Sequence, residues 1–362
     1  MKLLYVTSIV QPSILANRKQ IIETAKALHS LLGDNIKLGI HSTDKQLPLP
    51  YVLFGGSHRS VILGLRYALH IRKNAFTHVY CREEKLFVMM RLYARLLQVH
   101  AKFFFEAHTV DGEFFFRGSV RLADGIVVIT KSIKDDLVAL GIAPERIIVV
   151  PDAVSPEQFF LSVPKKEARA EIGVSQDGLL IVYAGSFGYY HSWKGVDTLL
   201  EASKQGDSTW RFLLIGGRDD EVKFWRKRYS SSRIDIRNHL ESDMVAKALR
   251  AADILVIPNK PGNETSERYT SPLKLFEYMA SGTPIVASNL PSMQEVVSEE
   301  EAVFFEPGNS RSLVQAIQSV VNDPVSAQKR AEAAREKVQN YTWNKRAQTI
   351  LGFLNTINAL EA

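Results

Sequence analysis

One stretch of the chain combines a helix start, a lysine and a carboxylate at spacings that suit phosphate binding. Ser271 can cap a helix that has Pro272 in its first turn and ends at Gly282, ahead of an apolar strand. Free amides at a helix start bind phosphate oxygens, and Lys274 adds a positive charge in the same turn. Glu277 lies six residues after the cap, within reach of a ribose attached to that phosphate. The alternative is an ordinary capped helix with a surface carboxylate.

A second polar group follows an apolar run in the first half of the chain. Residues 101–105 predict a buried strand, and Glu106 and His108 come after it. Open α/β sheets bind ligands beyond the carboxyl ends of their strands. His108 is therefore a candidate for a ligand contact. The alternative is a hydrogen-bonded histidine at a domain interface.

Short apolar runs alternate with helical patterns along the whole chain, which is typical of an α/β protein with parallel sheets. In the first half the pattern predicts a helix from about Asn17 to Gly33 and six strands, at 2–6, 36–40, 78–81, 101–105, 125–129 and 147–150. In the second half it predicts strands at 179–184, 212–215, 234–236, 254–257, 284–287 and 302–304. A helical tail covers 310–321, 325–339 and 343–360.

The stretch 152–171 loses hydrophobic periodicity and contains two prolines, so we interpret it as an interdomain connection. We expect one Rossmann-like domain over 1–158 and a second over 170–342. A C-terminal helix at about 343–362 is expected to pack back on the first domain. Two α/β units of similar size predict that they face each other across a cleft that holds a ligand.

Composition excludes several classes of protein. The 362 residues are 46% hydrophobic and 23% charged, which is ordinary for a soluble globular protein and not for a disordered or coiled-coil chain. The single cysteine, Cys81, excludes an internal disulfide framework and a cysteine-rich zinc site, and favours a reducing compartment. No run of 18 apolar residues occurs, and we interpret the apolar start 1–10 as a buried strand rather than a signal peptide.

The positive charge is concentrated in one part of the chain. Residues 1–160 carry a net charge of +6, whereas 161–362 are neutral overall. The segment Arg59–Lys102, which we call the basic segment, has two acidic residues and nine basic ones: Arg59, Arg66, Arg72, Lys73, Arg82, Lys85, Arg91, Arg95 and Lys102. This asymmetry indicates an acidic partner for the N-terminal half.

Helical spacing within the basic segment suggests what that partner is. It places Arg66 and Lys73 on one helix face, and Arg91 and Arg95 on another. Basic amphipathic helices rest on anionic membranes, each Lys or Arg adding about 1 kcal/mol near the surface. A loop at 114–116, three phenylalanines, would add an apolar contact. The alternative is a solvated face with core aromatics. Nucleic acid also suits the charge, but no nucleic-acid-binding motif accompanies it.

The most specific segments together resemble glycosyltransferase family 4, whose members retain anomeric configuration and have the GT-B fold. The stretch 271–288 is similar to the donor-binding motif of that family. Further similarity, in the same order along the chain, lies at 183–186, 193–202, 212–217, 244–258, 305–309 and 341–343.

The resemblance implies roles for individual residues. Glu277 matches the second carboxylate of the family's E-x7-E motif, which binds the donor ribose, and Lys194 matches its diphosphate lysine. His108 matches the cleft histidine that contacts the donor sugar. The other residues placed at the donor are the glycine-loop residues Gly185 and Ser186, and Ser271, Pro272, Leu273 and Lys274, the segment whose backbone meets the diphosphate. The turn 151–154, including Asp152, is interpreted as structural.

Two positions depart from the family pattern. The first motif carboxylate is replaced by Tyr269, which leaves the recognition of the donor sugar open. The arginine that often follows the glycine loop is absent, with Arg218 and Arg268 as candidate substitutes.

The resemblance implies an enzyme, most simply a hexosyltransferase. It would move a sugar from a UDP- or GDP-sugar to a hydroxyl of a glycan or lipid-linked acceptor, in polysaccharide or glycoconjugate synthesis. No metal-binding motif and no P-loop is found, and we expect no metal cofactor, because Lys194 and a helix start can offset the diphosphate charge. The expected location is cytoplasmic, on the inner face of the cytoplasmic membrane if the basic segment docks there. The alternatives are a sugar phosphorylase, a sugar-nucleotide epimerase or a non-catalytic partner subunit.

Overall fold

The computed structural model of the chain describes residues 1–7, 16–40, 50–54, 60–188 and 192–359. The chain divides into two compact units. The first unit comprises Met1–Asp152 together with Trp343–Ala362, and the second comprises Ala153–Thr342.

The first unit is a parallel sheet with helices. Its seven strands are β1 Leu3–Val6, β2 Ile36–Ile40, β3 Tyr51–Leu53, β4 His78–Cys81, β5 Lys102–Ala107, β6 Gly125–Val128 and β7 Ile147–Val149. They pair in the order β3-β2-β1-β4-β5-β6-β7, every pair parallel. Its helices are α1 Ala16–Leu32, α2 Ser60–Lys73, α3 Glu84–Leu96, α4 Phe114–Leu122, α5 Lys131–Ala139 and the C-terminal α14 Trp343–Ala359.

The second unit repeats this architecture with six parallel strands. They are β8 Leu179–Ala184, β9 Trp210–Gly217, β10 Ile234–Asn238, β11 Ile254–Ile257, β12 Ile285–Ser288 and β13 Val303–Phe305. Their order is β10-β9-β8-β11-β12-β13. The helices are α6 Lys165–Glu171, α7 Val196–Gln205, α8 Asp219–Arg228, α9 Ser242–Ala251, α10 Leu273–Ser281, α11 Pro291–Gln294, α12 Ser310–Asn322 and α13 Pro324–Lys337. In each sheet the first three strands are added toward one edge and the later strands are added on the other side of the first strand. This change in strand order is typical of Rossmann-like sheets.

Most of the strands are apolar, as expected for parallel strands that are buried on both faces. Every residue of β1 and of β11 is buried, and Tyr5 pairs in register with Tyr80 across β1 and β4. Close helix packing also depends on glycine. A Cβ atom on Gly64 would lie 2.5 Å from Cβ of Met89, so α2 and α3 pack at a distance that only glycine allows at this position.

The expectation of an α/β protein with two Rossmann-like units is confirmed. The strand β3 was not predicted, and β5 continues two residues beyond the predicted end, so that Glu106 lies inside the strand rather than after it. The first unit ends at Asp152, whereas we expected the first domain to reach residue 158. Residues 8–10 of the apolar start 1–10 lie outside the described residues.

Candidate active site

In the second unit, two glycine turns pack against each other where β8 and β9 end. The N–H of Gly185 donates to the carbonyl of Ile215 at 2.8 Å. Gly216 has a φ of +118°, and a Cβ atom there would lie 2.5 Å from the carbonyl oxygen of Gly185. On Gly185 itself, a Cβ atom would lie 3.0 Å from Nζ of Lys274. Side chains are therefore excluded from the turn at Gly185 and Gly216, and the ammonium group of Lys274 lies against its backbone.

Lys274 is held over this turn by a tyrosine. Its Nζ lies 3.0 Å from Oη of Tyr183 and 4.4 Å from the centroid of the ring. The Tyr183 hydroxyl donates to the carbonyl of Ser186 at 2.7 Å, which fixes the ring. Sequence reasoning placed Lys274 here but missed Tyr183, because the two residues are 91 positions apart and no local signal joins them.

Lys194 lies at the end of the 3-10 turn Ser192–Lys194. Its Nζ lies 3.8 Å from the centroid of the Trp193 ring. The turn is anchored on the loop after β11, since the N–H of Lys260 donates to the carbonyl of Trp193 at 2.7 Å. Gly195, with a φ of +69°, follows the turn, and a Cβ atom there would overlap the carbonyl of Pro258.

The charged forms of the two lysines are disfavoured by their surroundings. Burial lowers the pKa of Lys194 to about 8. Burial together with the charge of Lys194 lowers the pKa of Lys274 well below its usual value, and Glu277 opposes this. Among the described residues, no carboxylate forms a salt bridge with either lysine. A bound anion would offset both the repulsion between the two ammonium groups and the cost of burying their charges.

The start of α10 differs from the expectation. Pro272, not Ser271, is the N-cap residue, and no described side chain caps the helix, so the expectation that Ser271 caps it is wrong. A proline at the N-cap offers no side-chain acceptor, which leaves the first amides, those of Leu273 and Lys274, for a ligand. The helix ends at Gly282 with a φ of +69°, as expected.

Glu277 lies one turn after Lys274 on α10 and is half-buried. Its charge raises the pKa of Lys274, against the effect of burial. The structure therefore brings together Lys194, Lys274, Glu277 and the turn at Gly185, all at the carboxyl edge of the second sheet.

The proposed substitutes for the family arginine lie in different surroundings. Arg218 is the N-cap residue of α8, is 64% exposed, and pairs with Asp220 at 3.6 Å and Glu221 at 3.7 Å. Arg268 lies over the ring of Tyr269, 5.4 Å from its centroid. Lys274 contacts the glycine turn at Gly185.

Tyr269 itself is buried, with 5% of its surface exposed, at the end of the π-helical turn Thr265–Tyr269. Two carboxylates lie nearby in the sequence, and neither replaces the missing one. Glu267 accepts a hydrogen bond from the N–H of Gly262, and Glu264 is exposed.

In the first unit, His108 follows β5 and contacts a buried carboxylate. Oε1 of Glu106 lies 3.0 Å from Nε2 of His108, 3.0 Å from Nε2 of Gln20 and 2.7 Å from a guanidinium nitrogen of Arg346. The hydroxyl of Tyr80 donates to Oε2 of Glu106 at 2.6 Å. We call these five residues the Glu106 cluster.

The Glu106 cluster is electrostatically balanced. Burial alone raises the pKa of Glu106, but Arg346 and the hydrogen bond from His108 outweigh it and hold this pKa well below the usual range. Burial and the charge of Arg82 lower the pKa of His108 to about 4, so the imidazole is neutral at pH 7. Burial also raises the pKa of Asp152, beside the cluster, to about 6. Sequence reasoning singled out His108 and missed Arg346, which lies 240 residues from Glu106.

The basic segment is less exposed than its sequence implies. Arg91 pairs with Asp124 at 2.8 Å, with 15% of its side chain exposed, and Arg82 binds Gln20 in the interior. Arg59 lies outside the described residues.

Residues 114–116 begin α4 instead of forming a loop, and Phe116 is part of the core. No helix within the described residues is long and apolar enough to cross a membrane.

Metal ligands do not cluster in the described part of the chain: no group of three or more His, Cys, Asp or Glu side chains is placed to hold an ion. The metal-free site remains a prediction.

Comparison with known proteins identifies the fold class first. The structure of HepE from Anabaena in complex with UDP-glucose superposes with a TM-score of 0.79 at 16% identity, covering 98% of this chain and 100% of that one. Sucrose-phosphate synthase from Thermosynechococcus elongatus superposes with a TM-score of 0.73 at 17% identity, covering 99% of each chain. The fold is that of the GT-B glycosyltransferases.

Family models then cover most of the sequence. Residues 26–158 match the family described as Glycosyltransferase Family 4, and residues 178–323 match Glycosyl transferases group 1. The chain belongs to glycosyltransferase family 4.

Two relatives with a named activity align with part of the chain. Alpha-maltose-1-phosphate synthase from Mycolicibacterium smegmatis is 23% identical over 67% of this chain and 66% of that protein. D-inositol 3-phosphate glycosyltransferase from Xylanimonas cellulosilytica is 25% identical over 64% of this chain and 57% of that protein. The chain therefore aligns with less than two thirds of the length of these relatives.

Proposed function

We propose that this protein is a retaining hexosyltransferase that uses a UDP- or GDP-sugar as donor. Its acceptor would be a hydroxyl of a glycan or lipid-linked molecule, in polysaccharide or glycoconjugate synthesis. The observation that carries the proposal is the pair Lys194 and Lys274, two lysines whose charges act on each other, with Lys274 against the glycine turn at Gly185. The structural neighbour HepE, which holds UDP-glucose or UDP, supports a donor of this class.

Each residue then has a defined task. Lys194, Lys274 and the first amides of α10 stabilise the diphosphate as it leaves the anomeric carbon. Glu277 binds the ribose, and His108 orients the donor sugar. The bond between the anomeric carbon and the diphosphate oxygen breaks while the bond to the acceptor oxygen forms. The acceptor proton passes to the leaving diphosphate, so the reaction needs no separate base.

Turnover with defined donors tests this proposal. The protein is incubated in EDTA with UDP- and GDP-hexoses and a sugar acceptor, and the products are followed by proton NMR. We expect release of one nucleoside diphosphate and a product with the anomeric configuration of the donor. Inversion would refute retention, and activity only after a divalent ion is added would refute the metal-free site.

The same products separate the alternatives. A sugar phosphorylase would transfer to inorganic phosphate, and an epimerase would convert one nucleotide sugar into another without releasing the nucleotide. A non-catalytic subunit, which Tyr269 in place of a carboxylate favours, would bind the donor and release nothing.

We further propose that α2 and α3 dock on an anionic membrane. These neighbouring helices expose several apolar side chains, which are Val61, Ile62, Leu69, Leu92 and Leu96. The exposed basic side chains of the same two helices are Arg66, Arg72, Lys73, Lys85 and Arg95. Phe114, at the start of α4, is 79% exposed. Such a surface combines the apolar and electrostatic contributions that bind interfacial helices to lipid.

We expect the protein to co-sediment with vesicles that contain phosphatidylglycerol and not with neutral ones. Reversing Arg72, Lys73 and Arg95 to glutamate should abolish binding, because each basic residue contributes about 1 kcal/mol at such a surface. Raising salt from 0.1 M to 1 M shortens the Debye length from about 10 Å to about 3 Å and should have the same effect.

A matched control reverses Lys223 and Lys227, which are exposed on α8 of the second unit. These changes should leave vesicle binding intact. Equal loss in both sets of variants, or binding that ignores lipid charge, would rule out docking through α2 and α3.

A further inference from the structure

The Glu106 cluster fixes which nitrogen of His108 carries the proton. A carboxylate has no hydrogen to donate, so the 3.0 Å contact between Oε1 of Glu106 and Nε2 of His108 requires that Nε2 donates. In a neutral imidazole the other nitrogen, Nδ1, is then an acceptor. The side chain of His108 is 26% exposed, whereas Glu106 is 1% exposed, so the ring lies between the buried carboxylate and solvent.

We propose that Glu106 and Arg346 are positioning residues, which hold His108 as the neutral Nε2–H tautomer so that Nδ1 accepts a hydrogen bond from a hydroxyl of the donor sugar. This inference rests on the proposed function, in which His108 contacts that sugar. Neither positioning residue touches the sugar. Glu106 orients the ring, and Arg346 keeps Glu106 ionised without adding a proton to His108.

Arg346 is suited to this task by its contacts. It lies on α14 with 2% of its side chain exposed. One guanidinium nitrogen binds Glu106 at 2.7 Å, Nε donates to the carbonyl of Pro151 at 3.1 Å, and the third nitrogen lies 3.3 Å from the hydroxyl of Thr24. The C-terminal helix thereby places the positive charge of Arg346 beside Glu106 on β5, an interior strand of the first sheet.

The charge balance explains why His108 stays neutral. The polar and ionisable groups that act on His108 or Glu106 come from several elements and are Tyr5, Gln20, Tyr80, Arg82, Asp152 and Arg346. Burial and the charge of Arg82 disfavour a proton on the imidazole most, and Arg346 adds to them. Without Arg346, one of the two cations that oppose this proton is lost, so protonation of His108, the more basic partner with an ordinary pKa of about 6.5 against about 4.3, becomes more favourable.

NMR titration of labelled histidines tests the inference in the ligand-free protein, with the His108 signal assigned by His108→Gln. In the native protein we expect His108 to titrate at about pH 4. In Arg346→Gln its titration should move upward by up to about 1 pH unit, the lower end of the effect of one nearby charge, because Arg82 has the larger effect on His108 and remains. Arg346→Lys should restore the native titration, and Lys345→Gln, which removes an exposed charge from the same helix, should not change it.

Tyr80→Phe provides an independent test if Arg346→Gln does not fold. It removes the hydrogen bond to Oε2 of Glu106, makes the carboxylate more basic and leaves every charge in place. We expect a smaller upward shift of the His108 titration. A His108 signal that does not move in these variants, with only their melting temperatures lowered, would overturn the proposal and leave the cluster a structural one.

Kinetics separate this inference from the proposed function. In Arg346→Gln, kcat should fall about tenfold per pH unit below the new titration point of His108, and the donor KM should stay nearly constant. If the titration moves but kcat does not follow it, the positioning network stands and the contact of His108 with the sugar is wrong. If no donor is turned over at all, the proposed function fails while the titration still tests the network.

Discussion

Replacing Lys194 and Lys274 together by methionine is expected to weaken the binding of a nucleoside diphosphate by about 10²–10⁴-fold, since each charge-assisted hydrogen bond contributes about 1.5–3 kcal/mol. Methionine keeps most of the volume of the lysine stem, so the glycine turn at Gly185 stays filled. Calorimetric titration with UDP and GDP measures the effect. Lys247→Met is the matched control, because Lys247 is on the surface of the same unit, paired with Glu171 at 2.6 Å.

The two single variants should each lose less than half of the binding free energy that the double variant loses. The charge of Lys194 contributes to the lowered pKa of Lys274. Lys194→Met removes that repulsion, so Lys274 is more fully protonated and compensates in part. Strictly additive losses would show that the lysines do not share one site.

The affinity should also depend on pH in a defined direction. The pKa of Lys194 is lowered to about 8 in the free protein, and only the protonated lysine pairs with the diphosphate. The contribution of Lys194 to the affinity should therefore be nearly constant below about pH 7 and fall above pH 8, and the complex should take up protons near pH 8. In Lys194→Met this contribution should disappear. An affinity that rises above pH 8 would contradict the assignment.

The second large effect is expected on stability. Replacing Glu106 by alanine leaves Arg346 buried without its carboxylate, and breaking a buried ion pair in this way costs about 3–5 kcal/mol. This is a large share of the 5–15 kcal/mol that typically stabilises a protein. We expect a lower melting transition for the first unit, measured by calorimetry, and faster hydrogen exchange in β5 and α14.

Two comparisons make this prediction specific. Glu113→Ala removes an exposed glutamate of the same unit and should leave the melting transition unchanged. The double variant Glu106→Leu/Arg346→Met should regain part of the loss, because it removes both charges at once. A loss of less than about 1 kcal/mol for Glu106→Ala, the range of exposed pairs, would mean that the ion pair is not buried in solution.

Local patterns were sufficient to predict most of the fold. Strands such as Leu179–Ala184 and Ile254–Ile257 match the prediction because a strand buried on both faces is apolar throughout. Strand β3 was missed because it has only three residues and none of them is fully buried. An element this short has no periodicity to detect.

The parts of the candidate site that sequence reasoning missed depend on distant partners. Glu106 was placed after β5 because a carboxylate inside a buried strand is unfavourable on its own. It becomes favourable only with Arg346, which no spacing in the sequence connects to it. In the same way, the motif predicted that Lys274 contributes a charge, but not that Tyr183 holds it over Gly185.

The most direct test of the central claim is a calorimetric titration of UDP and of GDP into the native protein and the Lys194→Met/Lys274→Met variant, both in EDTA at pH 7.5. The proposed site predicts that one nucleotide binds the native protein without metal and that the double variant loses this binding. Binding that requires a divalent ion, or that is equally tight in the double variant, would contradict it.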